Sequence, residues 1–432
     1  MPHSAPCTES DAPPIFSIIP WIPETESIAN EWLKERLDSI QNLKSRPLLP
    51  AVLEFQDLIE RDPELFRLFH FMFEQIPSGP PYNKEPITHH PQVRDYMAML
   101  HLINDILFSA PEFRAENGAI ALPINAILTW PMGTPAGLIA FRNPNVNSQF
   151  KRIFAIWADF LCSSDSRYVL NQTDYGWLGP KAMKWMPDFA ETYKCEPDLP
   201  YYGFSSWDDF FTREFRSGVR PVASPEDDSI ITNACESTVY RIARNVRAMD
   251  QFWLKSQPYS LGHMLDHDSL TSQFAGGTIY QGMLSALDYH RWHSPVNGTI
   301  HKIVMIPGTY YAQSPSEGFA GPRGPDFDAQ TRSQAFITAV ATRALVFIQA
   351  DDERVGMVCF MAVGMAEMSS CEVTVRVGVR VRKGDQLGMF HFGGSSHCLI
   401  FRPEVSIVFE KGAGERAEIN GVVGRLVERR WY

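Results

Sequence analysis

Apolar residues recur at helical spacing through the first half of the chain. After Pro23, Ile28, Trp32, Leu33, Leu37, Ile40 and Leu43 fall three and four apart, with Thr25 and Ser27 as N-cap candidates. Leu65, Phe66, Leu68, Phe69, Met72, Phe73 and Ile76 form a second run, ended by the turn signal PSGPP. Val93, Tyr96, Met97, Leu100, Ile103 and Leu107 form a third, ended by Ala110 and Pro111. Pro, Gly and Asn are dense between residues 111 and 148, which predicts loops, and a further helix is expected around Phe150 to Leu161. From residue 229 the pattern changes. SIITNAC, NGTIHKIVMI, QAFITAVATRALVFIQA, RVGMVCFMAVG and CEVTVRVG are rich in Val, Ile, Thr and Phe and are separated by Gly, Asn and Asp turns, as strands are. The aromatic, arginine-rich stretch YYGFSSWDDFFTREFRSGVRPV joins the two halves. The expected fold class is α+β: a flexible N-terminus over residues 1–22, a helical domain over 23–190 and a β-rich domain over 191–432.

Composition changes this picture little. With 432 residues, 44% hydrophobic and 21% charged, the chain can bury a full core over two or three domains. Its net charge of -11 offers no basic footprint for nucleic acid and is repelled by an anionic membrane surface, which favours a small-molecule substrate. The opening MPHSAPCTESDAPP lacks the charged and apolar regions of a secretory signal. No apolar run approaches the roughly 18 residues of a membrane span, so a cytoplasmic protein is expected. Seven scattered cysteines without a C-x-x-C pair predict reduced thiols rather than disulfides or a structural zinc.

Three stretches carry candidate chemistry. MFHFGGSSHCLIF, residues 389–401, interrupts a strand-like run with Gly393, Gly394, Ser395 and Ser396. Two glycines permit a turn between strands; they also permit a strained Gly-Ser peptide whose serine hydroxyl attacks the preceding carbonyl. LDYHRWHSPVNG holds His290 and His293, three apart, either structural or suited to general acid and base work near neutral pH. A metal site would need more ligands, for which His391 and His397 are the nearest candidates, and none is expected. NACESTVY offers a carboxylate, Glu236, beside Ser237. A buried carboxylate needs a partner, and a histidine would serve. Acid, histidine and serine in this order fit a nucleophile, base and orienter set.

The ordered set WDDFFTREFRSGVRP, NACES, YHRWHSPVNGTI, PGTYYAQSP and FHFGGSS resembles the phosphatidylserine decarboxylase family over residues 200–432. FQDLIERDPEL, PQVRDYMAMLHLINDIL and WADFLCSSDSRYVL are similar to the accessory helical domain of a fungal branch of that family which includes aromatic amino acid decarboxylases. The resemblance implies a catalytic domain with a barrel-sandwich-like sheet that cuts itself between Gly394 and Ser395 and converts Ser395 into a pyruvoyl group. That covalent cofactor takes up the substrate's α-amine and accepts the electron pair left by carbon dioxide. The resemblance also implies His293 as the base for the cut and His290 as the acid that returns a proton. Glu236 stands where the family has an orienting Asp, with Asp288 as the other candidate. Trp292 is a candidate pocket wall. The implied substrate is a free aromatic amino acid, tryptophan first, with phosphatidylserine as the alternative, and the large and small chains stay associated. SPVNGTI and VRKGDQLGMF also resemble the halves of a biotinyl or lipoyl carrier barrel, but no lysine sits at a suitable tip.

Overall fold

The computed structural model describes residues 32–38, 40, 46–77, 93–114, 119–250, 258–314, 317, 329–367 and 370–427. The expected flexible N-terminus, the Thr25 and Ser27 caps and most of the PSGPP turn lie outside them. Residues 32–38 are helical, followed by Pro50–Arg61, Pro63–Glu74 and Tyr96–Ile106. Their apolar stripes face inward, for example Val52, Phe55 and Ile59, and Leu65, Leu68, Phe69 and Met72.

The stretch expected as loops is mostly helix. Pro123–Met132, Pro135–Arg142 and Pro144–Leu161 each open on a proline in the first turn. There the missing N–H is not needed and the fixed φ suits a helix, so these prolines act as start signals rather than breakers. Thr134 and Asn143 cap the second and third, accepting from Gly137 N and from Asn145 N and Val146 N. A second correction concerns QAFITAVATRALVFIQA. Gln334–Val340 is helical and only Arg343–Ala350 is a strand. The buried positions Gln334, Ala335, Ile337 and Thr338 carry helical spacing, which overrides the β-branched composition. Of CEVTVRVG, only its start joins strand Ser370–Val373.

Eight antiparallel strands form the main sheet, in the order Arg380–Val381, Gly298–Ile306, Arg343–Ala350, Met357–Met365, Gly394–Phe401, Thr278–Leu284, Ser237–Arg244, Arg416–Ala417. Two three-stranded sheets pack on one face: Ser370–Val373, Gln386–His391 and Arg291–His293, and then Ile407–Phe409, Val422–Leu426 and Ile230–Thr232. On the other face lie the short helices Leu261–Met264, Thr271–Phe274 and Gln334–Val340. The layers are those of a sandwich, and none of the described sheets closes into a barrel.

The helical core continues into the β-rich half through Ala286, Tyr289, Tyr311, Ala366, Phe392 and Ile419. Ala286 lies just beyond Leu284, Ala366 just beyond Met365, and Phe392 just before Gly394. Helices and sheet therefore share a core at the end of the sheet where strand Gly394–Phe401 begins.

Candidate active site

Ser395 lies near the start of a central strand, opposite Leu284 on one side and Gly364 on the other. It is fully buried, and its Oγ has no hydrogen-bond partner among the described residues. The turn before it is built differently from a simple glycine turn. The left-handed residue is Phe392, at φ 62°, a costly conformation for a bulky side chain. Gly393 serves close approach instead: a Cβ there would stand 2.0 Å from the Glu367 carbonyl oxygen. At Gly394 the nearest atom would be Met365 O at 3.2 Å. Ser396 points to the opposite face, where its Oγ accepts from Gln281 Nε2 at 3.2 Å.

The segment that holds both histidines is paired with the segment that leads into Ser395. Strand Thr278–Leu284 ends opposite Ser395, and the chain turns through residues 285–290 into Arg291–His293, which pairs with Gln386–His391. Phe390 N donates to His290 O at 2.9 Å, five residues before Ser395. The buried His290 ring stacks on Phe211 at 3.9 Å, and burial, with Arg213 second, pulls its pKa well below the ordinary value. His293 Nδ1 is 3.3 Å from Asn420 Oδ1, and its Nε2 is 3.1 Å from the Tyr289 hydroxyl. Because Asn420 Nδ2 donates to Arg220 O at 3.0 Å, its Oδ1 is the atom turned to His293. His293 therefore carries its proton on Nδ1 and keeps Nε2 as the basic nitrogen, which accepts from Tyr289. Burial lowers the His293 pKa to about 4, so the ring is neutral near pH 7.

Neither candidate acid touches His293. Glu236 is buried and accepts from Arg220 Nη2 at 2.9 Å and from Ile419 N at 2.9 Å, with Arg416 at 3.4 Å. Asp288 accepts from Arg416 at 2.5 and 3.0 Å and from Ser285 N at 2.6 Å. The link from Glu236 to His293 runs through Asn420: Glu236 holds Arg220 and Ile419, which hold the Asn420 side chain and backbone in turn. Trp292 is buried against Phe360 at 5.2 Å and Phe390 at 5.3 Å. His391 lies between Asp208 at 2.8 Å and Glu372 at 2.9 Å, and no group of three or more His, Cys, Asp or Glu side chains among the described residues could hold a metal ion.

Matches to known families fall on both halves. Residues 49–186 and 207–424 each match a model described as phosphatidylserine decarboxylase. The L-tryptophan decarboxylase of Psilocybe cubensis is 36% identical over 96% of this chain and 95% of its own length. The chain belongs to the phosphatidylserine decarboxylase family. Decarboxylase iboD of Amanita muscaria is 44% identical over 75% of the chain and 99% of its own length. Phosphatidylserine decarboxylase proenzyme 3 of Schizosaccharomyces pombe is 30% identical over 53% of the chain and 22% of its own length. The protein is thus a carboxy-lyase. No helix among its described residues is long and apolar enough to cross a membrane.

Two residues of this decarboxylase escaped the sequence reading. Asn420, at φ 64°, follows from an Asn-Gly turn signal that only the fold connects to His293. Glu367 is fully buried behind the turn, accepting from Asn125 N at 2.7 Å and Tyr311 Oη at 2.8 Å. Its carboxyl group thus caps helix Pro123–Met132, while its backbone faces Gly393. The N-cap residue of that helix, Leu122, would lie 3.6 Å from a Cβ at Gly394, so the helical half forms part of the wall around the turn.

Burial raises the Glu367 pKa to about 8, against the lowering effect of the Asn125 N–H and the Tyr311 hydroxyl. Because the folded value lies above the unfolded one, the folded state binds the extra proton between about pH 4.5 and 8. Stability from this group is therefore full at the acid end of that window and lost as pH rises. Glu367→Gln removes this dependence. Denaturant melts of both proteins should show the difference between them moving in the variant's favour by about 1.4 kcal/mol per pH unit across the window. A constant difference would remove Glu367 as the titrating group.

Proposed function

We propose that this decarboxylase acts on a free aromatic L-amino acid, tryptophan first, giving the arylalkylamine and carbon dioxide, after cutting itself between Gly394 and Ser395. The observation that carries the reading is the extent of similarity. L-tryptophan decarboxylases of Psilocybe match both halves of the chain nearly end to end, whereas the phosphatidylserine decarboxylase proenzyme of Schizosaccharomyces pombe matches about half of it.

In the cut, Ser395 Oγ adds to the Gly394 carbonyl, and the amide nitrogen leaves as an ester forms. Elimination releases the Gly394 carboxylate, and hydrolysis of the resulting enamine frees ammonia and leaves a pyruvoyl group at position 395. The residues present fit that group: a buried Ser395 Oγ without a hydrogen-bond partner among the described residues, and a Gly393 cradle that a Cβ would fill, support it. When formed, it supplies an electron sink for the carbanion left by carbon dioxide. The protein's own residues handle binding and protons. His293 Nε2 is the base for the serine hydroxyl once Tyr289 yields its bond, with Asn420 keeping the proton on Nδ1 and Glu236 bracing Asn420. His290, next to the same turn, returns a proton to the substrate carbon. Ser396 and Gly393 shape the turn. The large chain and the small chain, residues 395–432, stay associated through strand pairing.

Purified protein assayed with free aromatic amino acids and with phosphatidylserine vesicles tests the substrate. Release of carbon dioxide from tryptophan, with two bands on denaturing electrophoresis, is expected. Turnover of the lipid alone would assign the protein to phosphatidylserine.

A further inference from the structure

The face of the sheet that carries Ser395 contains a second group with no structural task. His397, two residues further along the strand, shares that face. It is fully buried, and neither ring nitrogen has a hydrogen-bond partner among the described residues. Leaving a buried polar atom unpaired is costly, so a histidine here calls for a partner that arrives from outside. The Tyr280 hydroxyl and Trp292 Nε1 on the same core are likewise unpartnered among the described residues.

The surroundings favour a flat ring. His397 is flanked by Gly282 and Ala362, and Ser395 by Leu284 and Gly364, so three of the four neighbouring positions have at most a methyl group. Phe360 lies nearly parallel to the imidazole at 6.1 Å, Tyr280 stands at 6.1 Å, and Trp292 extends the wall from the facing sheet. Burial holds the imidazole neutral, its pKa lowered to about 3. It therefore offers one donor and one acceptor, and the apolar walls around it suit a neutral ring N–H or hydroxyl better than a charged group. The spacing of two residues along a strand, about 6.5–7 Å, approximates the span from an α-amine to a ring heteroatom.

We propose that His397 is the specificity-determining residue of this decarboxylase, hydrogen-bonding the ring N–H or ring hydroxyl of an aromatic amino acid whose α-amine is engaged at position 395. The inference rests on the reading of the substrate as a free aromatic amino acid. It explains why a histidine stands against the apolar side chains between the two sheets, and why Gly282 is needed: a Cβ there would lie 2.6 Å from His397 Cε1 and 2.7 Å from Ser237 Oγ.

The test compares kcat/KM for tryptophan and phenylalanine, whose ring has no hydrogen-bonding atom, in the self-cleaved wild type, His397→Leu, His397→Asn and Gly282→Ala. The tryptophan-to-phenylalanine ratio should fall about 10- to 100-fold in His397→Leu, recover in part in His397→Asn, and fall in Gly282→Ala, which displaces the ring without removing it. An unchanged ratio in the Leu and Ala variants, or in the Ala variant alone should His397→Leu stay uncut, overturns the role of His397 and leaves the substrate reading intact. A cleaved wild type that turns over neither amino acid overturns both.

Discussion

Ser395→Ala yields one band of the full-length size on denaturing electrophoresis, and its decarboxylase activity falls at least ~10³-fold. The reason is the absence of any substitute. Ser395 Oγ is the hydroxyl on the carboxyl side of Gly394, and Ser396 is turned to the opposite face and bonded to Gln281. Thermal melting of the variant should match that of freshly made, uncut wild type, because the lost hydroxyl has no hydrogen bond to forfeit among the described residues. Two bands, or a small chain beginning at Ser396, would place the cut elsewhere.

Gly393→Ala is expected to slow self-cleavage at least ~100-fold, while Gly394→Ala slows it far less. The contrast follows from distance. An alanine Cβ at 393 would sit 2.0 Å from the Glu367 carbonyl oxygen, a backbone atom that moves only with the strand before it. At 394 the same methyl meets Met365 O at 3.2 Å, which a small shift accommodates. A time course of band conversion after refolding measures both rates. Equal rates for the two variants would mean that the close approach behind the turn plays no part in aiming the serine.

The segments that make up this candidate site could be picked out in the chain. The GGSS interruption and the His290 and His293 pair are each local in sequence, and pairing of Arg291–His293 with Gln386–His391 brings these two stretches together. What could not be read depends on contacts between segments far apart. Glu236 looked like the orienter because it is the carboxylate of its motif, yet Arg220 and Arg416 claim it, and an asparagine near the C-terminus takes the histidine. Glu367 sits in the turn just beyond strand Met357–Met365, with no motif of its own. Only the arrival of helix Pro123–Met132 gives its carboxyl group a function, and the prolines that start that helix and its neighbours had read as loop.

Strand Gly394–Phe401 is bonded on both sides, by Met357–Met365 and by Thr278–Leu284. If the chain cuts itself at Gly394–Ser395 as proposed, this makes the cut a checkpoint on assembly. The bond reaches its reactive setting only after two distant strands have closed around it, so a misfolded chain keeps the bond and never acquires its catalytic carbonyl. The passage is also one-way. A mature molecule that loses its sheet must reunite two separate chains to recover it, and the covalent connection that guided the first folding no longer exists.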